Sequence, residues 1–163
     1  MAALNVNVLF NGDWLEETPL GRAEWIKLFG ALFDQSKKAD SLFQKIESNY
    51  LTAKKLALEA KESPTVLTGA LFQDKWNLPA GESFMATFFK DANTSYFWKD
   101  SPGTGSLVMG LESVLDVAGN ADLWLGSGIF TNYEEMGNSN SHYSSFNPFQ
   151  KKKGVHFFKK ERK

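Results

Sequence analysis

At 163 residues the chain is long enough for one domain with a sizeable core and short for two. Its 42% hydrophobic and 23% charged residues are those of an ordinary globular protein, and no apolar run approaches the roughly 18 residues of a membrane helix. Zero cysteines exclude disulfides, thiolate catalysis and thiolate metal sites, and only two histidines, His142 and His156, argue against a histidine-rich metal centre.

The net charge of −1 hides an asymmetry. The last 13 residues, KKKGVHFFKKERK, carry seven basic groups and one acidic, leaving 11 basic against 18 acidic in the rest. Such an end is read either as a solvated terminus around a short strand or as a patch for nucleic acid or anionic membrane. No basic amphipathic helix accompanies it, so no nucleic-acid partner is expected. Residues 1 to 12 lack the basic start and apolar block of a secretory signal; an exported protein would carry that signal elsewhere.

In chain order, the alternation of NVNVLF predicts a strand over 5–10. Thr18 before Pro19 reads as an N-cap with proline at the first helical position, and a helix is predicted over 19–33, with Glu17, Arg22 and Glu24 near its start. Ala39, Leu42, Phe43, Ile46, Tyr50, Ala53, Leu56, Ala57 and Ala60 recur at three- and four-residue steps, predicting a long helix over 36–61. Pro64 ends it. TVLTGALF (65–72) reads as one buried strand, 73–81 as a loop, and ESFMATFFKDA (82–92) as a helix capped near Gly81 or Glu82 with Phe84, Phe88 and Phe89 inward. SYFW (95–98) is a predicted strand and KDSPGTGS (99–106) a turn-rich loop. A helix over 111–120 stopped at Gly119, a strand over 121–126, a helical turn begun by Thr131, a flexible polar loop over 138–145 and a strand over 154–158 complete the set. Strands alternating with helices argue for an α/β layered fold with a mostly parallel sheet and helices on both faces.

The sequence offers no complete catalytic constellation. There is no phosphate-binding G-x-x-x-x-G-K-[ST], no G-x-G-x-x-G after a strand and no G-x-S-x-G elbow. The adjacent pairs Glu16–Glu17 and Glu134–Glu135 point to different helix faces. GTGS (103–106) is either a plain turn or an anion-holding loop. If the latter, Ser106 and nearby carboxylates would suit a small α/β enzyme acting on a phosphorylated or sugar substrate. The aromatics are more distinctive. Trp14, Trp76 and Trp98, with Phe72 and Tyr96, fall at strand ends or in the loops after them, where α/β sheets bind ligands. Each is either core filler or a wall for a large, flat, partly apolar ligand. Trp25 and Trp124 lie inside predicted elements and are read as structural.

The segments E-x-x-P-L-G-R-A-E-W-I-K, P-T-V-L-T-G, W-x-L-P-A-G-x-S, D-A-x-x-x-Y-F-W and G-S-L-x-x-x-L-E-x-V-L with A-D-L-W-L, in this order around the long helix, resemble one family over about residues 6–158. They are similar to the helical-backbone class of periplasmic substrate-binding proteins, which deliver ferric siderophores, haem or cobalamin to ABC importers. The resemblance implies a partial two-lobe substrate-binding fold: a three-layer Rossmann-like lobe plus a long inter-lobe helix. Residues 1–35 would end the first lobe, 36–62 form the bridging helix and 63–163 an incomplete second lobe. Most of the first lobe and the closing helices have no counterpart in these residues. The implied function is capture of a metal chelate between the lobes and delivery to a membrane permease, with no reaction and no resident cofactor or metal site.

On that reading Trp14, Glu17, Arg22, Phe72, Trp76 and Trp98 are the expected ligand contacts. Arg22 would pair with a ligand anion, or else with Glu17 or Glu24. Glu112, in L-E-x-V-L, is the expected permease-docking residue, or else a helix-start acid favoured by the dipole. The expected location is periplasmic, or anchored on the outside of the membrane. A dimer covering the bare helix face is a further expectation.

Overall fold

A computed structural model of the protein describes residues 7–128, 130–152 and 154–156. The chain divides into two compact units, Met1–Ser48 and Asn49–Lys163, and the division falls inside the long helix.

In the first unit a 3₁₀ turn, Asp13–Leu15, precedes α1 (Pro19–Glu24), α2 (Ile26–Leu32) and the start of α3 (Ser36–Leu58). Thr18 caps α1 as its sequence implies: its backbone is extended and its hydroxyl accepts from the Gly21 N–H at 3.1 Å. The single helix expected over 19–33 is two, because the Trp25 N–H turns to the Ala23 carbonyl and interrupts the i−4 ladder. The Trp25 indole instead donates to Glu16 Oε1 at 2.8 Å. α2 and α3 approach closely at Gly30, where a methyl group would collide with the Ala39 side chain. Ala39 and Phe43 are the buried part of the α3 stripe, and the Lys27 ammonium lies 4.1 Å from the Phe43 ring centre. Residues 7–10 of the expected first strand are not in a strand; residues 5 and 6 lie outside the described residues. Val8, Leu9 and Phe10 are exposed, and without a paired neighbour an alternating sequence has no ladder to join.

The second unit holds two sheets. β1 (Thr65–Thr68), β4 (Ser95–Tyr96), β6 (Leu123–Leu125) and β7 (Val155–His156) form a fully parallel sheet in the order β4-β1-β6-β7. Asp122 fixes its leading edge by accepting from the Thr65 N–H (2.9 Å) and hydroxyl (2.7 Å), bonds that hold its carboxyl below the usual carboxylate range. The expected strand 65–72 breaks at Gly69, whose φ of 78° lies in the left-handed region. Past the break, β2 (Leu71–Phe72), β3 (Lys75–Pro79) and β5 (Ser106–Met109) form an antiparallel sheet in the order β2-β3-β5. β3 falls in the stretch 73–81 expected to be loop, and β5 starts at the last residue of the loop expected over 99–106 and continues through residues given no element. The β2–β3 turn uses Gln73 and Asp74 at φ 49° and 60°, a left-handed pair usually filled by Asn-Gly, which is why the hairpin is silent in the sequence.

Helices α4 (Phe84–Asp91), α5 (Leu111–Ala118), α6 (Tyr133–Ser139) and α7 (Asn147–Gln150) complete this unit. Ser83, rather than Gly81 or Glu82, caps α4 through its hydroxyl. Asn132, rather than Thr131, caps α6. The polar run 138–145 is not a loose loop but the end of α6 and a 3₁₀ turn that buries Tyr143. The core gathers Val66, Leu67, Trp76, Leu78, Phe89, Tyr96, Trp124, Tyr143 and Phe146 between the two sheets and their helices. Of the expected strand 154–158, residues 157 and 158 lie outside the described residues.

Candidate functional site

In the parallel sheet the chain runs from β1 to β4 on one side and then crosses to β6 on the other. The switch point therefore lies between the carboxyl ends of β1 and β6, the place where open α/β sheets take ligands. Here it is largely filled. The Trp76 indole donates to the Thr68 carbonyl at 2.8 Å and the Trp124 indole to the Gly69 carbonyl at 2.7 Å. The two rings stack at 5.4 Å, with Tyr143 and Phe146 packed against both. Tyr143 in turn accepts the Leu71 N–H at 2.9 Å, so the segment after β1 is pinned by three aromatic side chains.

The open space lies beside this plug. A cavity of about 350 Å³ is bounded by Thr68 and Gly69 at the end of β1, Asn77, Leu78 and Pro79 of β3, Ser83, Phe84 and Met85 at the start of α4, and Thr104, Gly105 and Ser106. Strand alternation explains its wall: Trp76 and Leu78 point to the core, while Lys75 and Asn77 are exposed. Register pairs Phe72 with Lys75 and Val108 with Asn77, so these four share the outer face of the small sheet. Phe72 and Val108 are exposed on this face beside Lys75 and Asn77, and Asn77 also lines the cavity with Met85, which is exposed in turn. GTGS forms part of the rim, and Gly105 faces open space. A second, more polar cavity of about 580 Å³ lies along α4 and β4, with Lys90, Asn93, Thr94 and Lys99 among its walls.

The expected contacts separate. Trp14 is 65% exposed on the 3₁₀ turn. Glu17 is exposed, and Arg22 Nε lies 3.8 Å from Asp13 Oδ2. These three belong to the first unit. In the second unit, Phe72 is exposed on β2. Trp76 and Trp98 need correction as ligand walls: Trp76 has no exposed surface, and Trp98 is buried against Tyr96 and Phe97. Their apolar mass completes the core, and the Trp76 N–H is already used. Trp124 is fully buried in the core, whereas Trp25 is only partly buried, its indole bonded to Glu16. Tyr96 donates its hydroxyl to the Pro79 carbonyl at 2.7 Å, and burial pushes its phenol well up. Glu112 is exposed in the first turn of α5, whose cap, Gly110, has no side chain to offer. Asn77, Phe84, Met85 and Thr104 were missed. The alternation in KWNLP was the signal for Asn77, lost because 73–81 reads as loop.

Among the described residues no group of three or more His, Asp or Glu side chains is placed to hold a metal ion, and no helix is long and apolar enough to cross a membrane.

A parallel sheet with crossover helices and an apolar cavity at its carboxyl edge defines an α/β binding lobe. The chain belongs to the periplasmic binding protein family, whose model matches residues 4–153. An uncharacterized lipoprotein of Methanocaldococcus jannaschii is 32% identical over 127 residues, covering 75% of this chain and 30% of that protein. Among solved structures, an ABC-type Fe3+-hydroxamate transport system protein from Saccharomonospora viridis superposes with a TM-score of 0.69 at 15% identity, covering 96% of this chain and 56% of that one. A periplasmic heme-binding protein of Vibrio cholerae does so with a TM-score of 0.64 at 16% identity, covering 86% and 54%. At these identities the likeness is one of fold. The chain spans about half the length of these structures and less than a third of the archaeal lipoprotein.

Proposed function

We propose that the chain is part of a substrate-binding component of an ABC importer, working on the outer side of the cytoplasmic membrane. It captures an iron- or cobalt-bearing chelate, a ferric siderophore, haem or cobalamin, and hands it to a membrane permease. The observation that carries this is the apolar cavity at the end of β1, in a chain of the periplasmic binding protein family. Phe84 and Met85 offer a dry wall for a flat or apolar chelate, and Asn77 and Thr104 offer polar contacts at its edge. Relatives named for heme and for Fe3+-hydroxamate favour that ligand class.

The reading involves capture and release without a chemical step. The metal arrives inside the ligand, and the protein holds no cofactor of its own. Phe72 in the second unit, and Trp14, Glu17 and Arg22 in the first, remain proposed contacts. Glu112 is proposed to dock on arginines of the permease, since a carboxylate exposed at a helix start is free to meet a guanidinium. Titration of the protein with haemin, cobalamin and a ferric tris-hydroxamate, followed by tryptophan fluorescence, tests the assignment. Saturable quenching by one of them is expected; no saturable binding of any at micromolar concentration overturns it.

A further inference from the structure

Among the described residues, Ser127 Oγ is a buried side-chain oxygen with no hydrogen-bond partner, and the residue has no exposed surface. Buried hydroxyls are nearly always bonded, so an orphan in a well-packed lobe calls for an explanation. Its place in the fold supplies one. Ser127 follows β6 at the carboxyl edge, beside the switch point, between Gly126 (φ 61°) and Gly128 (φ 72°). Both flanking residues therefore sit in left-handed conformations that glycine enters and leaves at little steric cost.

The loop is tucked in tightly. The Gly69 N–H donates to the Gly126 carbonyl at 3.1 Å and the Gly128 N–H to the same oxygen at 2.7 Å. A methyl group at Gly128 would lie 3.1 Å from the Ala70 side chain. The tuck thus gains two backbone bonds to one carbonyl and leaves the serine hydroxyl unsatisfied. A turn with a glycine hinge on each side, and a polar group poorly served in its closed position, is suited to a second position.

We infer that Gly126–Ser127–Gly128 is a hinged lip, and that swinging out presents the Ser127 hydroxyl to an oxygen of the ligand, such as a carboxylate or hydroxamate oxygen, at the carboxyl edge of the parallel sheet. This deepens the proposed function and rests on it for the ligand, but the opening itself does not depend on any ligand. The hydroxyl is the specificity-bearing group of the lip. The glycines supply its two-state backbone.

The chain contains no cysteine, so a single introduced thiol reports exposure without background. Ser127→Cys is compared with Ala118→Cys, an equally buried position on α5 of the same unit, by the rate of reaction with a thiol reagent under native conditions. A hinged lip makes residue 127 react at least tenfold faster than residue 118, whose exposure needs wider unfolding. Equal rates overturn the lip. In parallel, Ser127→Ala removes the orphan oxygen and is expected to raise Tm by roughly 2–6 °C; an unchanged or lowered Tm contradicts the unsatisfied state. Haemin and a ferric tris-hydroxamate are the ligand probes. A bound chelate is expected to change labelling at 127 by several-fold and to bind Ser127→Ala about tenfold more weakly. A chelate that binds the unaltered protein with neither effect overturns the ligand contact while leaving the family-based function standing. Failure of both chelates to bind the unaltered protein overturns the ligand contact together with that function, and the lip is still decided by the labelling ratio.

Discussion

The Tyr50 hydroxyl donates to Asp91 Oδ2 at 2.6 Å, joining the second half of α3 to the end of α4. Lys54, one turn along α3, reaches the other carboxylate oxygen at 2.7 Å, and the Tyr50 ring packs edge-on against Phe88. Asn93 adds a bond from its side-chain amide to the Ala57 carbonyl at 3.1 Å. Within the second unit this cluster is how a long, mostly exposed helix is held to the lobe.

Removing that latch should loosen the lobe measurably. Tyr50→Phe keeps the ring contact and is expected to cost roughly 0.5–1.5 kcal/mol; Asp91→Ala, which strands both donors, about 1–2 kcal/mol. The Lys54 side chain is 40% exposed, so its ion pair is screened and contributes the smaller share. Urea unfolding of the two variants checks the order.

The same cluster sets a pH dependence. Partial burial alone would raise the Asp91 pKa, but hydrogen bonds from Lys54 and Tyr50 outweigh it, and the carboxyl titrates below its ordinary value of about 3.9. A depressed carboxylate contributes stability that is complete above the unfolded-state value and lost as pH falls through the folded one. Stability should therefore decline below about pH 4, and Asp91→Asn should flatten that part of the profile. A variant whose acid limb matches that of the unaltered protein would contradict this.

Trp76 is a structural residue. Trp76→Ala is expected to cost roughly 3–5 kcal/mol by opening a cavity under the switch point. Trp76→Phe keeps much of the volume but removes the indole bond to the Thr68 carbonyl, at about 0.5–1.5 kcal/mol. Thermal unfolding separates the two.

Gly105 faces open space at the rim of the 350 Å³ cavity, so a large side chain can be added there without a clash. Gly105→Trp should leave Tm within about 2 °C and weaken chelate binding at least tenfold by obstructing the mouth. Unchanged affinity would place the ligand elsewhere.

What the sequence disclosed follows from physical range. Thr18 and Pro19 specify their cap locally, and the α3 stripe specifies a helix by its period alone. The parallel strands β1 and β6 were legible as short apolar runs between turns. The small antiparallel sheet was not, because Lys75–Pro79 alternates over only five residues and its turn uses Gln73–Asp74 in place of glycine. The site suffered for the same reason. Without β3, nothing separates Trp76, turned inward, from Asn77, turned out to the cavity. Burial of a tryptophan is decided by distant partners such as Trp124 and Phe146, which no local pattern contains.

The cavity beside β1 is the proposed seat of the metal chelate. The most direct test of this placement is an equilibrium titration of the protein and of Gly105→Trp with haemin and a ferric tris-hydroxamate, read by tryptophan quenching. Saturable one-to-one binding of one chelate to the unaltered protein, weakened at least tenfold in the variant, is expected. Binding of equal strength to both proteins, or no saturable binding at all, would contradict it.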